Sequence, residues 1–201
     1  MKKFELTSEF ITNVLGAKLF RIKALIEFGD VSAGELGGYI EKEENLAQDG
    51  NAWVCGDAWV CGDAEVCGDA WVYGNAKVYG NAKVCGDAWV YGNAKVYGNA
   101  EVCGDAWVCG NAEVCGNAEV CGDADYSTVK GFGRIFRTTT FFRKKDKDIG
   151  VSCGCFYGTL EEFRKKVKET HGESKTAKEY LMLADLMEYK FSREMDEEVN
   201  Q

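Results

Sequence analysis

Ten cysteines and a single histidine are the groups in this 201-residue chain whose types could support nucleophilic, redox or metal chemistry. Eight of the thiols, Cys55, Cys61, Cys67, Cys85, Cys103, Cys109, Cys115 and Cys121, occupy one slot of a short repeat. Such regularity is not the irregular spacing of a disulfide framework. It makes surface columns whose neighbours, about 4.8 Å apart, fall within the Cα window of a disulfide but lack the convergent tetrahedral set that zinc prefers. In a reducing cytosol these are expected as free thiols. Cys153 and Cys155, with His171 downstream, could be imagined as a nucleophile or a metal site. Alternation along a strand instead puts both thiols on one side as small core residues. His171 falls at an expected helix end, where it favours the carboxyl terminus. No catalytic, cofactor or metal residue is therefore assigned.

The element that must position the repeated residues is a hexad, Gly-(Asp/Asn)-Ala-x-Val-x. It occurs in twelve consecutive copies from Gly50 to Cys121, followed by a decayed copy from Gly122 to Ser127. Ala and Val alternate with the variable positions, so a short strand points them one way and the variable pair the other, while the Gly-Asp or Gly-Asn step makes a corner. The pattern is similar to that of hexapeptide-repeat proteins. That resemblance implies a left-handed parallel β-helix, triangular in section, with 18 residues per coil and about four full coils here. Ala and Val would fill a narrow interior with no room for a ligand, so any function must lie on the faces, corners or flanks.

Sorting the outward residues by 18 gives three chemically different faces. The first carries Trp53, Trp71, Trp89 and Trp107 beside Cys55, Tyr73, Tyr91 and Cys109. The second carries Trp59, Lys77, Lys95 and Glu113 beside Cys61, Tyr79, Tyr97 and Cys115. The third carries Glu65, Lys83, Glu101 and Glu119 beside a row of thiols. Two corners are rich in Asn, which tolerates the left-handed backbone region and can form amide ladders. The third corner reads Asn51, Asp69, Asp87, Asp105, Asp123, and carboxylates at coil spacing repel by about 0.9 kcal/mol even in bulk water. A cation or a basic segment is expected along it, unless solvent screening suffices.

An exposed column of tryptophans is larger than the apolar patch a monomer leaves in water. Either the chain's own C-terminal helix or another protein should cover it. Trp53, Trp71, Trp89, Trp107, Tyr73 and Tyr91, with Trp59, Tyr79 and Tyr97 on the second face, are the expected partner-binding residues, because Trp and Tyr dominate interface hot spots.

The chain has 24 Lys and Arg against 33 Asp and Glu, a net charge of −9, and no proline. Between Gly50 and Ser127 three lysines face eleven acidic residues. That balance argues against direct binding to a nucleic-acid backbone, and would suit an acidic mimic of nucleic acid directed at a basic partner. No long apolar run or leader is found, so a cytoplasmic protein without membrane attachment is expected. Three regions are read: a helix-strand cap over 1–45, the repeats over 46–127, and an α+β module over 128–201. The cap is expected to hold a helix from Thr7 to Leu15 ended by Gly16, then a strand from Phe20 to Phe28. The module is expected to form a hairpin, Ile135 to Arg143 with Ile149 to Phe156. A helix boxed by Thr159 and Glu162 and ending near His171 follows, then a second helix begun by Ser174.

The segments RIKAL, FGDV and GELGGYIEKEENL before the repeats, with CGCFYGTLEEF and KETHG after them, resemble a group of phage- and prophage-encoded hexapeptide-repeat proteins. The resemblance implies a phage origin, hence a host cytoplasm, and no particular activity. Hexapeptide acyltransferases use a histidine on the coil and carbonic anhydrases of this fold use three; here the coil has none. The expectation is a non-enzymatic binding or scaffold protein without cofactor, self-associating as a dimer or trimer or engaging a host protein. The alternatives are a phage-encoded inhibitor of a host protein and a diverged hexapeptide acyltransferase.

Overall fold

The computed structural model describes residues 2–14, 16–133 and 135–192. Two units divide at Ala124 and Asp125. The first is a parallel-strand β-solenoid, and the turns number about five.

Each hexad supplies a strand of two to four residues. Trp53–Val54, Trp71–Val72, Trp89–Val90 and Trp107–Val108 form one four-stranded parallel sheet, with the tryptophans paired in register. Glu65–Val66, Lys83–Val84, Glu101–Val102 and Glu119–Val120 form a second. Trp59–Val60, Lys77–Gly80, Lys95–Gly98 and Glu113–Val114 belong to a third. Backbone bonds link the layers, as in Trp71 N–H to Ala88 C=O at 2.9 Å. All twelve repeat valines are fully buried, and the alanines are at most 1% exposed. The alternation read from the hexad therefore sets inside from outside.

One turn more than the repeats account for comes from ordinary sequence. Leu36–Ile40 runs parallel to Trp59–Val60, and Leu46 bridges Val66. These partners are twenty positions apart, so the first lap does not share the repeat spacing. Asn45, fully buried, donates its amide to the carbonyls of Gly62 and Ala64 at 3.0 and 2.8 Å. Glu41 accepts the Gly62 N–H at 2.7 Å. Side chains thus satisfy backbone groups that a raw solenoid end would leave unpaired.

The helix expected from Thr7 is instead a strand, Phe4–Thr12, antiparallel to Lys18–Ala24, which in turn pairs with Leu36–Ile40. Leu15 lies outside the described residues. The apolar spacing was compatible with either element, and cross-strand partners decided it: Phe10 opposes Phe20, and Lys18 sits 4.6 Å over the Phe10 ring. Gly16, with φ of 85°, serves the hairpin turn rather than a helix end, its N–H donating to the Asn13 carbonyl at 3.0 Å.

The second unit is a four-stranded antiparallel meander, Tyr126–Phe132, Arg137–Arg143, Ile149–Cys153 and Phe156–Thr159, followed by helices Leu160–His171 and Lys175–Phe191. The expected hairpin forms its centre. Thr159 and Glu162 make the capping box, at 3.2 and 2.8 Å. Phe141, Val151, Leu160, Phe163, Val167, Ala177, Ala184, Met187 and Phe191 form the core. Arg164 bridges to Asp185 and Glu188 at 2.7 Å each, pinning one helix to the other.

Candidate functional site: an aromatic face and a cleft

The tryptophan column is graded along its length. Trp53 is fully buried, with the Phe28 ring at 5.4 Å and the Phe4 ring at 6.5 Å, both edge-on. It was expected at the surface; the N-terminal strands cover it and take it out of any interface. Its indole N–H has no hydrogen-bond partner among the described residues. Trp71 is half-buried, whereas Trp89 and Trp107 are 38% and 47% exposed. These last two indoles stack at 5.4 Å with 12° between planes.

Beside them, Tyr73 and Tyr91 stack at 4.9 Å and 3°, and Tyr73 meets Trp89 edge-on at 5.9 Å. A continuous aromatic surface results, with rings held in place by the sheet beneath. A hydrogen bond to Cys109 raises the Tyr91 phenol above the ordinary range, and partial desolvation raises that of Tyr73. Neither ring therefore brings a charge to the face at neutral pH.

On the second face Tyr79 and Tyr97 stack at 4.9 Å and 2°, with Trp59 tilted against Tyr79 at 5.6 Å. Burial, then a bond to Cys115, pushes the Tyr97 phenol upward. Lys77 lies 5.2 Å over the Trp59 ring, while Lys95 pairs with Glu113 at 2.6 Å. Two lysines that are direct neighbours in the sheet are thus each compensated by a different partner. This face also joins the N-terminal strands through Leu19, Tyr39 and Cys61, whose thiol burial raises to about 11.

The corners divide as the residue types require. Asn81 donates to Asn99, and Asn99 to Asn117, at 2.9 and 3.3 Å; Asn93 donates to Asn111 at 3.3 Å. The aspartate file is tied at its ends: Asp69 accepts from the Asn51 side chain at 2.8 Å, and Asp123 from the Trp107 N–H at 3.0 Å. Among the described residues, a basic group reaches the first of these aspartates. Lys3, buried at the solenoid end, is electrostatically coupled to Asp69 and donates to the carbonyls of Ala52 and Asp49 at 3.0 and 3.2 Å. Of the thiols expected to be free, Cys103 and Cys121 are joined as a disulfide between layers. Cys67 and Cys85, in the same column, remain thiols.

In the second unit Cys153, Cys155 and His171 line one cleft of about 390 Å³. Cys155 is exposed rather than packed in the core. Thr139 donates to the Cys153 sulfur at 3.1 Å, and the Tyr180 phenol, buried and hydrogen-bonded with Cys153, is pushed up to about 12. No three His, Cys, Asp or Glu side chains among the described residues are grouped so as to hold a metal ion. Sequence spacing placed the two thiols near one another. It gave no signal that the end of a helix would return His171 to the same cleft.

No family model and no curated protein matches the chain. No helix among the described residues is long and apolar enough to cross a membrane.

Proposed function

We propose that this chain is a non-enzymatic binding and scaffold protein that self-associates, as a dimer or trimer, through the outer part of its aromatic face. The observation that carries this reading is the exposed, stacked pair Trp89 and Trp107, continuous with Tyr73 and Tyr91. Ordered rings lose little side-chain freedom on association, and covering the part of these two indoles that is still exposed removes apolar area from water. A flat sheet repeating at one spacing also presents the same rows to a second copy, which suits an isologous contact.

The finer fold features belong to the same reading: a left-handed, triangular coil of 18 residues per lap, a phage origin and a cytoplasmic setting. The pairing of Trp53, Trp71, Trp89 and Trp107 within one parallel sheet supports the lap length. The handedness and the origin rest on resemblance.

Sedimentation of the full chain beside a Trp89→Ala, Trp107→Ala variant tests the proposal. Wild type should sediment as a dimer or trimer, and the variant at the mass of one chain with an unchanged circular dichroism spectrum. A monomeric wild type at interface-relevant concentration would remove self-association. The second reading, an acidic surface directed at a basic host protein, is favoured by the three lysines against eleven acidic residues of the repeats. It predicts capture of a host protein that weakens steeply with salt.

A further inference from the structure

The cleft of the second unit combines three features that no structural role requires together. Its floor is apolar and ringed: Phe163, Val167 and Tyr180 are buried, with Phe156 to Phe163 at 5.5 Å, Phe163 to Tyr180 at 5.7 Å and His171 to Tyr180 at 6.0 Å. Its mouth is cationic: Arg137 and Lys166 are exposed residues of the lining. Among the described residues no Asp or Glu lines it, and the acidic partner of Lys166 is Glu169 at 3.9 Å.

Arg137 has a specific support. Its guanidinium lies against Gly154, where a Cβ would stand 1.7 Å from Nη1, and Gly154 holds a φ of 64°. The turn between the two cysteines therefore leaves room for Arg137 at the rim by having no side chain there.

We propose that this cleft binds a small organic acid with an aromatic body, an aryl-alkyl carboxylate. Its ring would enter among Phe156, Phe163 and Tyr180, and its carboxylate would meet Arg137, with Lys166 adding charge. Charge complementarity selects an anion, because the described lining residues offer cations and no carboxylate. The ringed floor selects a planar apolar body through edge-on and offset contacts. Arginine binds a carboxylate through two parallel hydrogen bonds. The volume, near the lower end of the roughly 300–1,000 Å³ of small-molecule sites, admits a single-ring acid.

The test is calorimetric titration of the full chain with 3-phenylpropionate, 3-phenylpropanamide and acetate, accompanied by amide shift mapping. The acid should bind saturably, one per chain, and perturb residues 153–156 and 166–171. The neutral amide should bind about tenfold more weakly, as should the acid to Arg137→Gln, since a hydrogen-bonded charge is worth about that factor. Lys166→Gln, a change on an exposed helical surface, should weaken it less, and Lys175→Gln, outside the cleft, should change nothing. Equal binding of acid and amide, acetate binding as well as the phenyl acid, shifts mapping elsewhere, or no saturable binding would each overturn the proposal. An Arg137→Gln chain with altered spectra is replaced by Lys166→Gln, for which unchanged affinity also counts against it.

Discussion

Most corner glycines stand over the corner glycine of the next layer, and the tightness of that approach differs by position. A Cβ on Gly86 would lie 2.9 Å from the Gly104 carbonyl oxygen and 3.0 Å from its nitrogen, whereas on Gly110 it would meet nothing within 4 Å. Both residues hold a positive φ. Gly110→Ala should therefore cost only the left-handed strain, about 1–2 kcal/mol. Gly86→Ala should cost more in chemical denaturation, because backbone on the facing layer must move; equal losses would show that the layers are not in close contact there.

Lys3 offers a second test at this scale. Burial, opposed in part by Asp49 and Asp69, lowers its ammonium from 10.5 to about 8. Between those values the unfolded chain holds the extra proton, so this group's contribution to stability rises as pH climbs through the window. The difference between wild type and Lys3→Met should shift toward wild type on going from below 8 to above 10.5, by on the order of 2–3 kcal/mol. A flat difference across denaturation curves would mean that the ammonium is solvated. Nothing in the sequence marked Lys3 as buried. Its partners lie 46 to 49 positions away, and alternation speaks only of neighbours.

At the level of elements, legibility followed the range of the deciding forces. The hexad strands, the Thr159 and Glu162 box and the two helix starts are settled within a few residues, and all were readable. Phe4–Thr12 was not, because its strand character comes from Lys18–Ala24 across the hairpin, and tertiary pairing overrides a short apolar spacing. Trp53 went the same way: it fills the same hexad slot as its three column-mates, and its burial comes from Phe4 and Phe28, distant in sequence.

The aspartate corner is an element-scale property too. Asp87 and Asp105 form no ion pair with Lys or Arg among the described residues. Replacing both with Asn should stabilise the solenoid by on the order of 1 kcal/mol at low ionic strength, and the gain should shrink in concentrated salt. Thermal melts at two salt concentrations check this. A destabilised variant would imply that the carboxylates hold a cation.

For the whole molecule, contacts within the repeats run between adjacent layers, so stability should scale with layer number rather than depend on any one layer. Deleting residues 74–91 keeps every column in register and should preserve cooperative unfolding, with a lower midpoint. Deleting only 74–79 moves each later tryptophan onto another face and should yield an aggregated or loosely packed product, distinguishable by near-ultraviolet dichroism. Equal damage from both would refute the pairing by columns.

The singular first lap has a further consequence for how the chain finds its fold. Five hexads carry the same Gly-Asp/Asn-Ala-Trp-Val run, four of them in one column, yet of the five indoles only that of Trp53 ends beneath Phe4 and Phe28. Trp71 docking there instead would bulge out a whole lap and leave every later contact intact. Such a slipped isomer differs from the native chain chiefly by the lap it leaves out and by the bonds that Asn45 makes to Gly62 and Ala64. The non-repeating start is thus the fiducial mark from which a nearly featureless ruler is counted.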